Sequence, residues 1–164
     1  MNMLEQLQAA LDRLERAGLR RRPVELSSGA GPRVTVDGRE VVCLCSNDYL
    51  GLAADPAVVQ AATDAVAAWG VGSGASRLVS GTMSPHRRLE RAIAAFKGTE
   101  DAVVTSTGWM ANRAAICSLA GRGDLVLCDR LDHASILDAA LACGARMKTC
   151  PHRDTDALDR ILDR

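Results

Sequence analysis

From residue 84 onward, short β-rich runs alternate with amphipathic stretches, and this alternation limits the fold more than any other feature. Ser84-Pro85 opens a helical pattern in which Leu89, Ile93 and Phe96 share one stripe, and Gly98 closes it. "DAVVTST" then reads as a strand, Gly108 as a turn and Trp109 to Leu119 as a helix ending at Gly121. "DLVLCD" is the next strand, "HASILDAALACG" the next helix, "ARMKTC" another strand and "TDALDRILDR" a last helix. Strand, helix, strand, helix, strand with short loops predicts parallel strands joined by right-handed crossovers, because a parallel pair needs a connection long enough to hold a helix. The fold class is therefore α/β. Such a sheet would have an open edge, and the stripe Leu158, Ile161, Leu162 needs a surface to pack on. Further strands are expected beyond Arg164.

The first part of the chain reads differently. Leu4, Leu7, Leu11 and Leu14 form one apolar helical stripe, and Gly18 stands where a left-handed cap belongs. Arg20, Arg21 and Arg22 follow, and Pro23 enforces extended backbone. "RVTVDGREVVCLC" is two β-rich runs around Asp37-Gly38, a hairpin signal. An irregular link, "SNDYLGLAADP", delivers Asp55-Pro56 as cap and first turn of a helix expected to bury Val58, Val59, Ala62, Val66 and Trp69. That helix stops in the glycine-rich "GVGSGASRLVSGT". The expected organisation is an N-terminal helix and hairpin over residues 1–45, then an α/β domain over 46–164.

Composition removes several functions. With a formal net charge of +0, nothing favours electrostatic capture of nucleic acid or of an anionic membrane. No apolar run approaches the roughly 18 residues that span a bilayer. The first helix carries acids, unlike a secretory signal or transit peptide. The cysteines fall mostly in apolar runs, and Cys43 and Cys45 lack the spacing of a zinc knuckle, so buried free thiols in a cytoplasmic protein are expected and a metal is not.

Ligands of an open parallel sheet sit beyond the carboxyl ends of its strands. In "TSTGWMAN", Gly108 permits close approach, and the amides of the following turn combine with the helix dipole as an anion site suited to a phosphate monoester. Ser106 and Thr107 can add hydroxyls. On spacing alone an ordinary βα turn reads the same way. The neighbouring loop, "DRLDHAS", brings His133 to the same crevice, with Ala134 and Ser135 small beside it. An imidazole, Trp109 and a phosphate turn on one rim suit a flat, phosphorylated, aromatic cofactor, although a lone loop histidine is also a common structural feature. The glycine-rich loop follows a helix rather than a strand, which rules out a dinucleotide fingerprint.

Four motifs in order, "CSNDYLGLAADP", "GVGSGASRLVSGTMSPHRRLE", "TSTGWMANRAA" and "DRLDHASILDA", resemble the α-oxoamine synthases. These are fold-type I pyridoxal-phosphate enzymes that condense an amino acid with an acyl thioester and release carbon dioxide. The resemblance implies part of an aminotransferase-type large domain, a pyridoxal 5'-phosphate cofactor and a homodimer. Gly108 and Trp109 match the pair whose backbone binds the cofactor phosphate, and His133 the histidine that stacks on the pyridine ring. Arg20 matches a substrate-contacting arginine and Asn47 an asparagine near the amino-acid carboxylate, the alternatives being a solvated turn charge and a turn-shaping residue. His86 reads as a helix-surface residue and His152 as a loop residue. The glycine-rich motif is most like the family member that joins alanine to a pimeloyl thioester in biotin synthesis. The member that joins glycine to acetyl-CoA is the nearest rival. Trp109 departs from the family's usual phenylalanine or tyrosine, and neither Lys97 nor Lys148 sits in the family's Schiff-base lysine motif. The chain taken alone is therefore expected to be inactive, and a lysine-free, non-catalytic partner subunit is a competing reading.

Overall fold

The structure, a computed structural model, describes residues 2–163. The chain divides into two compact units, Met1–Gly72 and Ser73–Arg164.

In the N-terminal unit, α1 (Met3–Arg16) begins with a reciprocal cap. The Glu5 amide donates to Asn2 Oδ1, and the Asn2 amide to Glu5 Oε2, each at 2.9 Å. Gly18 adopts the left-handed conformation just past its end, as expected. Strands β1 (Arg33–Val36) and β2 (Arg39–Val42) form the expected antiparallel hairpin. Asp37 and Gly38 both have positive φ, 49° and 73°, which matches the twist of a tight two-residue turn. Val34 is the buried apolar residue of this hairpin. Helix α2 (Pro56–Trp69) is capped by Asp55, whose Oδ1 accepts from the Ala57 and Val58 amides at 2.8 and 3.3 Å. The expected burial of its apolar side chains is not observed: Val58, Val59, Ala62, Val66 and Trp69 are all exposed. The helix is apolar on nearly every side, so its periodicity marks no single face, and within this unit it packs mainly on the short turn Leu52–Ala54. The stripe of α1 is also exposed.

In the C-terminal unit, α3 (Ser84–Lys97) ends at a left-handed Gly98, as expected. Its expected stripe is displaced. Leu89, Ile93 and Phe96 are exposed, and the helix buries Glu90 and Ala94 instead. A second correction concerns "DAVVTST". Residues 101–105 belong to no sheet, so among the described residues two parallel strands form rather than three. The reason is local: the Val104 amide donates to Glu90 Oε1 at 3.2 Å, and the Val104 carbonyl accepts from Arg77 Nη1 at 3.1 Å. Side chains thus satisfy backbone groups that a neighbouring strand would otherwise take.

After α4 (Gly108–Leu119), β3 (Leu125–Asp129) runs parallel to β4 (Arg146–Cys150), pairing Leu125 with Arg146 and Asp129 with Cys150. Helix α5 (Ala134–Ala142) connects them and packs on both strands and on α4. The core lies here, in small side chains: Cys128, Ser135, Ala139 and Ala140 are each at most 2% exposed. Burial pushes the Cys128 thiol above its ordinary pKa. Helix α6 (Thr155–Leu162) turns Ala157 inward, while Leu162 stays exposed.

Candidate active site

The turn into α4 is built by threonines. Thr107 is the cap, with extended backbone, and its Oγ1 accepts from the Met110 amide at 3.2 Å. Thr105 Oγ1 donates to the Thr107 carbonyl at 2.9 Å, which pins the turn from behind. The amides of Gly108 and Trp109 have no acceptor among the described residues. Together with the aligned peptide dipoles of a three-turn helix, they leave partial positive charge at this end. A Cβ placed on Gly108 would meet nothing within 4 Å, so the space beside Gly108 is open. Trp109 is half-exposed, and the Arg113 guanidinium lies 5.6 Å from its ring centroid, one helical turn on.

His133 caps the neighbouring helix. Its Nδ1 accepts from the Ser135 amide at 3.2 Å and lies 2.7 Å from Ser135 Oγ. Ser135 Oγ in turn accepts from Asn112 Nδ2 at 2.7 Å. Asn112 belongs to α4, so three side chains link the helix that starts at Gly108 to the imidazole at the start of α5. The ring is exposed while Ser135 beneath it is buried. Sequence reasoning valued Ser135 only for its small size and gave Asn112 no part. The signal was present, since both are polar residues on segments packed against each other, but the bond spans 23 positions.

Beyond β3, Asp129 accepts from the Leu131 amide at 2.8 Å, the Arg153 amide at 3.0 Å and His152 Nδ1 at 3.0 Å. These bonds, the backbone ones first, hold its carboxyl down at about 2. His152, expected to be a loop residue, thus helps close the β3–β4 end. His86 also has a structural task, its Nδ1 accepting from the Met83 amide at 3.1 Å. Before α4, a groove of about 570 Å³ is lined by Arg77, His86, Glu90, Thr105, Ser106 and Met110, among others.

In the N-terminal unit, Arg20 Nη1 pairs with Glu15 Oε2 at 3.1 Å, and Asn47 Oδ1 accepts from the Tyr49 hydroxyl at 3.2 Å. No hydrogen bond joins Arg20 to Asn47. Lys97 lies over the Phe96 ring, 5.6 Å from its centroid, at the end of α3, and Lys148 stands exposed on β4. Among the described residues no three His, Cys, Asp or Glu side chains gather as a metal site, and no helix is long and apolar enough to cross a membrane.

Known proteins resemble this chain in sequence and in fold. Residues 39–164 match the family described as Aminotransferase class I and II. An 8-amino-7-oxononanoate synthase of Geobacter sulfurreducens is 50% identical over 160 residues, covering 98% of this chain and 41% of the relative. The same enzyme of Nitrosomonas europaea is 50% identical over 162 residues, 98% of this chain and 42% of the relative. The chain therefore spans about two-fifths of the length of these curated relatives. Among solved structures, a serine palmitoyltransferase from S. paucimobilis with bound PLP–myriocin aldimine superposes with a TM-score of 0.87 at 31% identity, covering 100% of this chain and 42% of that one. An 8-amino-7-oxononanoate synthase from Francisella tularensis gives 0.63 at 26% identity, over 73% of this chain and 33% of that one. The fold is accordingly part of a fold-type I large domain, as the motifs implied. By its sequence and its fold, the chain belongs to the aminotransferase class I and II family.

Proposed function

We infer that this chain forms the cofactor-holding part of a pyridoxal-phosphate-dependent acyltransferase that condenses alanine with a pimeloyl thioester to give 8-amino-7-oxononanoate. The observation that carries the reading is the pair of unengaged amides at Gly108 and Trp109, on a helix tied through Asn112 and Ser135 to the exposed His133 ring. These residues fit a phosphorylated aromatic ring. Open space beside Gly108 admits a phosphate, the two amides donate to it, and the imidazole offers a flat face. The names of relatives half identical over 98% of the chain support the choice of reaction within the family.

When bound, pyridoxal phosphate supplies a ring that takes up the electron pair left at the substrate's α-carbon. The chain's own residues orient it. Gly108 and Trp109 fix the phosphate end. His133 sets the ring plane. Arg20 and Asn47 serve the substrate, Asn47 at the amino-acid carboxylate, each after release from its present partner, Glu15 or Tyr49. Neither Lys97, at the end of α3, nor Lys148, on β4, sits in the family's Schiff-base lysine motif. On this reading the chain by itself binds the cofactor without turnover, and the working enzyme is a homodimer. Condensation of glycine with acetyl-CoA is the alternative reaction for the same site.

Titration with pyridoxal phosphate, followed by its absorbance, tests the reading. Saturable binding that weakens in His133→Ala and Gly108→Val is expected. An unchanged spectrum up to millimolar cofactor overturns it.

A further inference from the structure

We propose that Asn112 and the Ser135 hydroxyl act as positioning groups that fix the tilt of the His133 ring, whose tautomer is set by the Ser135 backbone amide. The proposal rests on the reading of His133 as a cofactor-facing residue. A backbone amide can only donate, so the Ser135 N–H at 3.2 Å requires a lone pair on His133 Nδ1. The ring proton therefore sits on Nε2. Ser135 Oγ has one hydrogen. It already accepts from Asn112 Nδ2 at 2.7 Å, which leaves that hydrogen to point at Nδ1, also 2.7 Å away. Donation thus runs in one direction, from Asn112 to Ser135 to His133. Reversing the Asn112 amide would not alter the tautomer, because the Ser135 amide fixes it independently. It would withdraw the hydroxyl hydrogen and free the ring to tilt.

The surroundings suit this role. Ser135 is 2% exposed, so no water competes for its hydroxyl, while the ring it holds is exposed. Asn112 lies on α4 one turn past Gly108 and Trp109, and it is half-buried against α5. The helix that offers two amides to the phosphate therefore also sets the angle of the imidazole. One rigid element fixes both ends of the site, and a shift of α4 moves them together.

Nitrogen NMR of His133 in the full chain reads the inference directly, and pyridoxal phosphate binding reads its consequence. The parent is expected to show one neutral form, with Nδ1 unprotonated and Nε2 protonated. Ser135→Ala and Asn112→Leu, the latter similar in size but without a donor, should shift the Nδ1 resonance through loss of the hydroxyl hydrogen bond while leaving Nδ1 unprotonated. Each should weaken pyridoxal phosphate binding about fivefold to tenfold, the scale of one hydrogen bond. In a His133→Ala background neither substitution should weaken it further, a result that general loosening of the α4–α5 contact would not give. Asn112→Asp, which turns the donor into an acceptor, should draw the Ser135 hydroxyl away and mimic Ser135→Ala. A protonated Nδ1 in the parent, or spectra indifferent to Asn112 and Ser135, overturns the proposal. So do losses of binding that persist without the imidazole. If the parent binds no pyridoxal phosphate, the functional reading fails, and the nitrogen spectra still decide whether Asn112 and Ser135 orient the ring.

Discussion

Arg77 and Glu90 together take the place of a neighbouring strand for Val104. They meet at 2.8 Å, and while the guanidinium donates to the Val104 carbonyl, the carboxylate accepts from the Val104 amide. Glu90 is 2% exposed and also receives Arg87 at 3.0 Å. Removing the carboxylate would leave a half-buried guanidinium without its charged partner and a backbone amide without an acceptor. Glu90→Ala should therefore release residues 101–105 and lower the thermal midpoint. In hydrogen exchange the Val104 amide should lose protection roughly tenfold or more, the scale of one hydrogen bond to a charged group. Glu90→Gln, which keeps an acceptor, should lose less. Unchanged Val104 exchange in Glu90→Ala would show that this segment is held by something else.

The same bonds make stability depend on acid. Hydrogen bonds from Arg77 and the Val104 amide lower the Glu90 carboxyl from 4.5 to about 2. The Leu131 and Arg153 amides, with His152, lower Asp129 from 3.8 to about 2. A carboxyl depressed by folding contributes stability that is complete above its unfolded pKa and is lost as pH falls through the folded one. The denaturant midpoint should thus be flat with respect to these groups above about pH 4.5 and fall steadily toward pH 2. Asp129→Asn should be less stable than the parent at neutral pH and should show a shallower acid decline. Parallel declines in the two proteins would remove Asp129 from the account.

What was legible in the sequence divides along physical lines. Asp37-Gly38, Asp55-Pro56 and Gly98 declared the hairpin turn and helix ends, because those positions need particular backbone geometry whatever surrounds them. The β3–α5–β4 unit was legible for the same local reason. Burial was not. Periodicity shows which face of α2 or α3 is apolar, but not what covers it, and Leu89 proved exposed where Glu90 proved buried. The run 101–105 has strand propensity, yet its pairing was decided by Arg77 and Glu90, residues with no strand signal. At the candidate site, Gly108, Trp109 and His133 stood out as residues between strands and helices. The bonds through Asn112 and Ser135 depend on side-chain directions that no spacing rule encodes.

Thr107 allows stability and ligand binding to be separated. Its Oγ1 satisfies the Met110 amide, and loss of such a cap costs about 1 kcal/mol. Thr107→Ala should be destabilised by about that amount in urea unfolding and should bind pyridoxal phosphate more weakly, since the turn that presents Gly108 and Trp109 loosens. Thr107→Ser keeps the oxygen and should restore both. Restored stability without restored binding would mean that the threonine methyl, rather than the cap, shapes the turn.

Two glycines next to motif residues should respond in opposite ways to the same added methyl. Gly81 is needed by the chain itself: a Cβ there would fall on the Ala75 carbonyl, which is backbone and cannot yield cheaply. Gly81→Ala should therefore unfold the 75–82 turn and disturb Arg77, whose Nε donates to Thr82 Oγ1 at 3.0 Å. Gly108 has no such neighbour, with open space around its would-be Cβ and no left-handed backbone to strain. As the first residue of α4 it gains helical propensity from alanine, so Gly108→Ala should be neutral or stabilised by up to about 1 kcal/mol. If the space is kept for a phosphate, the same substitution should weaken pyridoxal phosphate binding. A variant that is both more stable and weaker in binding identifies Gly108 as a residue retained for its ligand. Loss of stability would instead mean that the turn into α4 needs glycine for its own backbone.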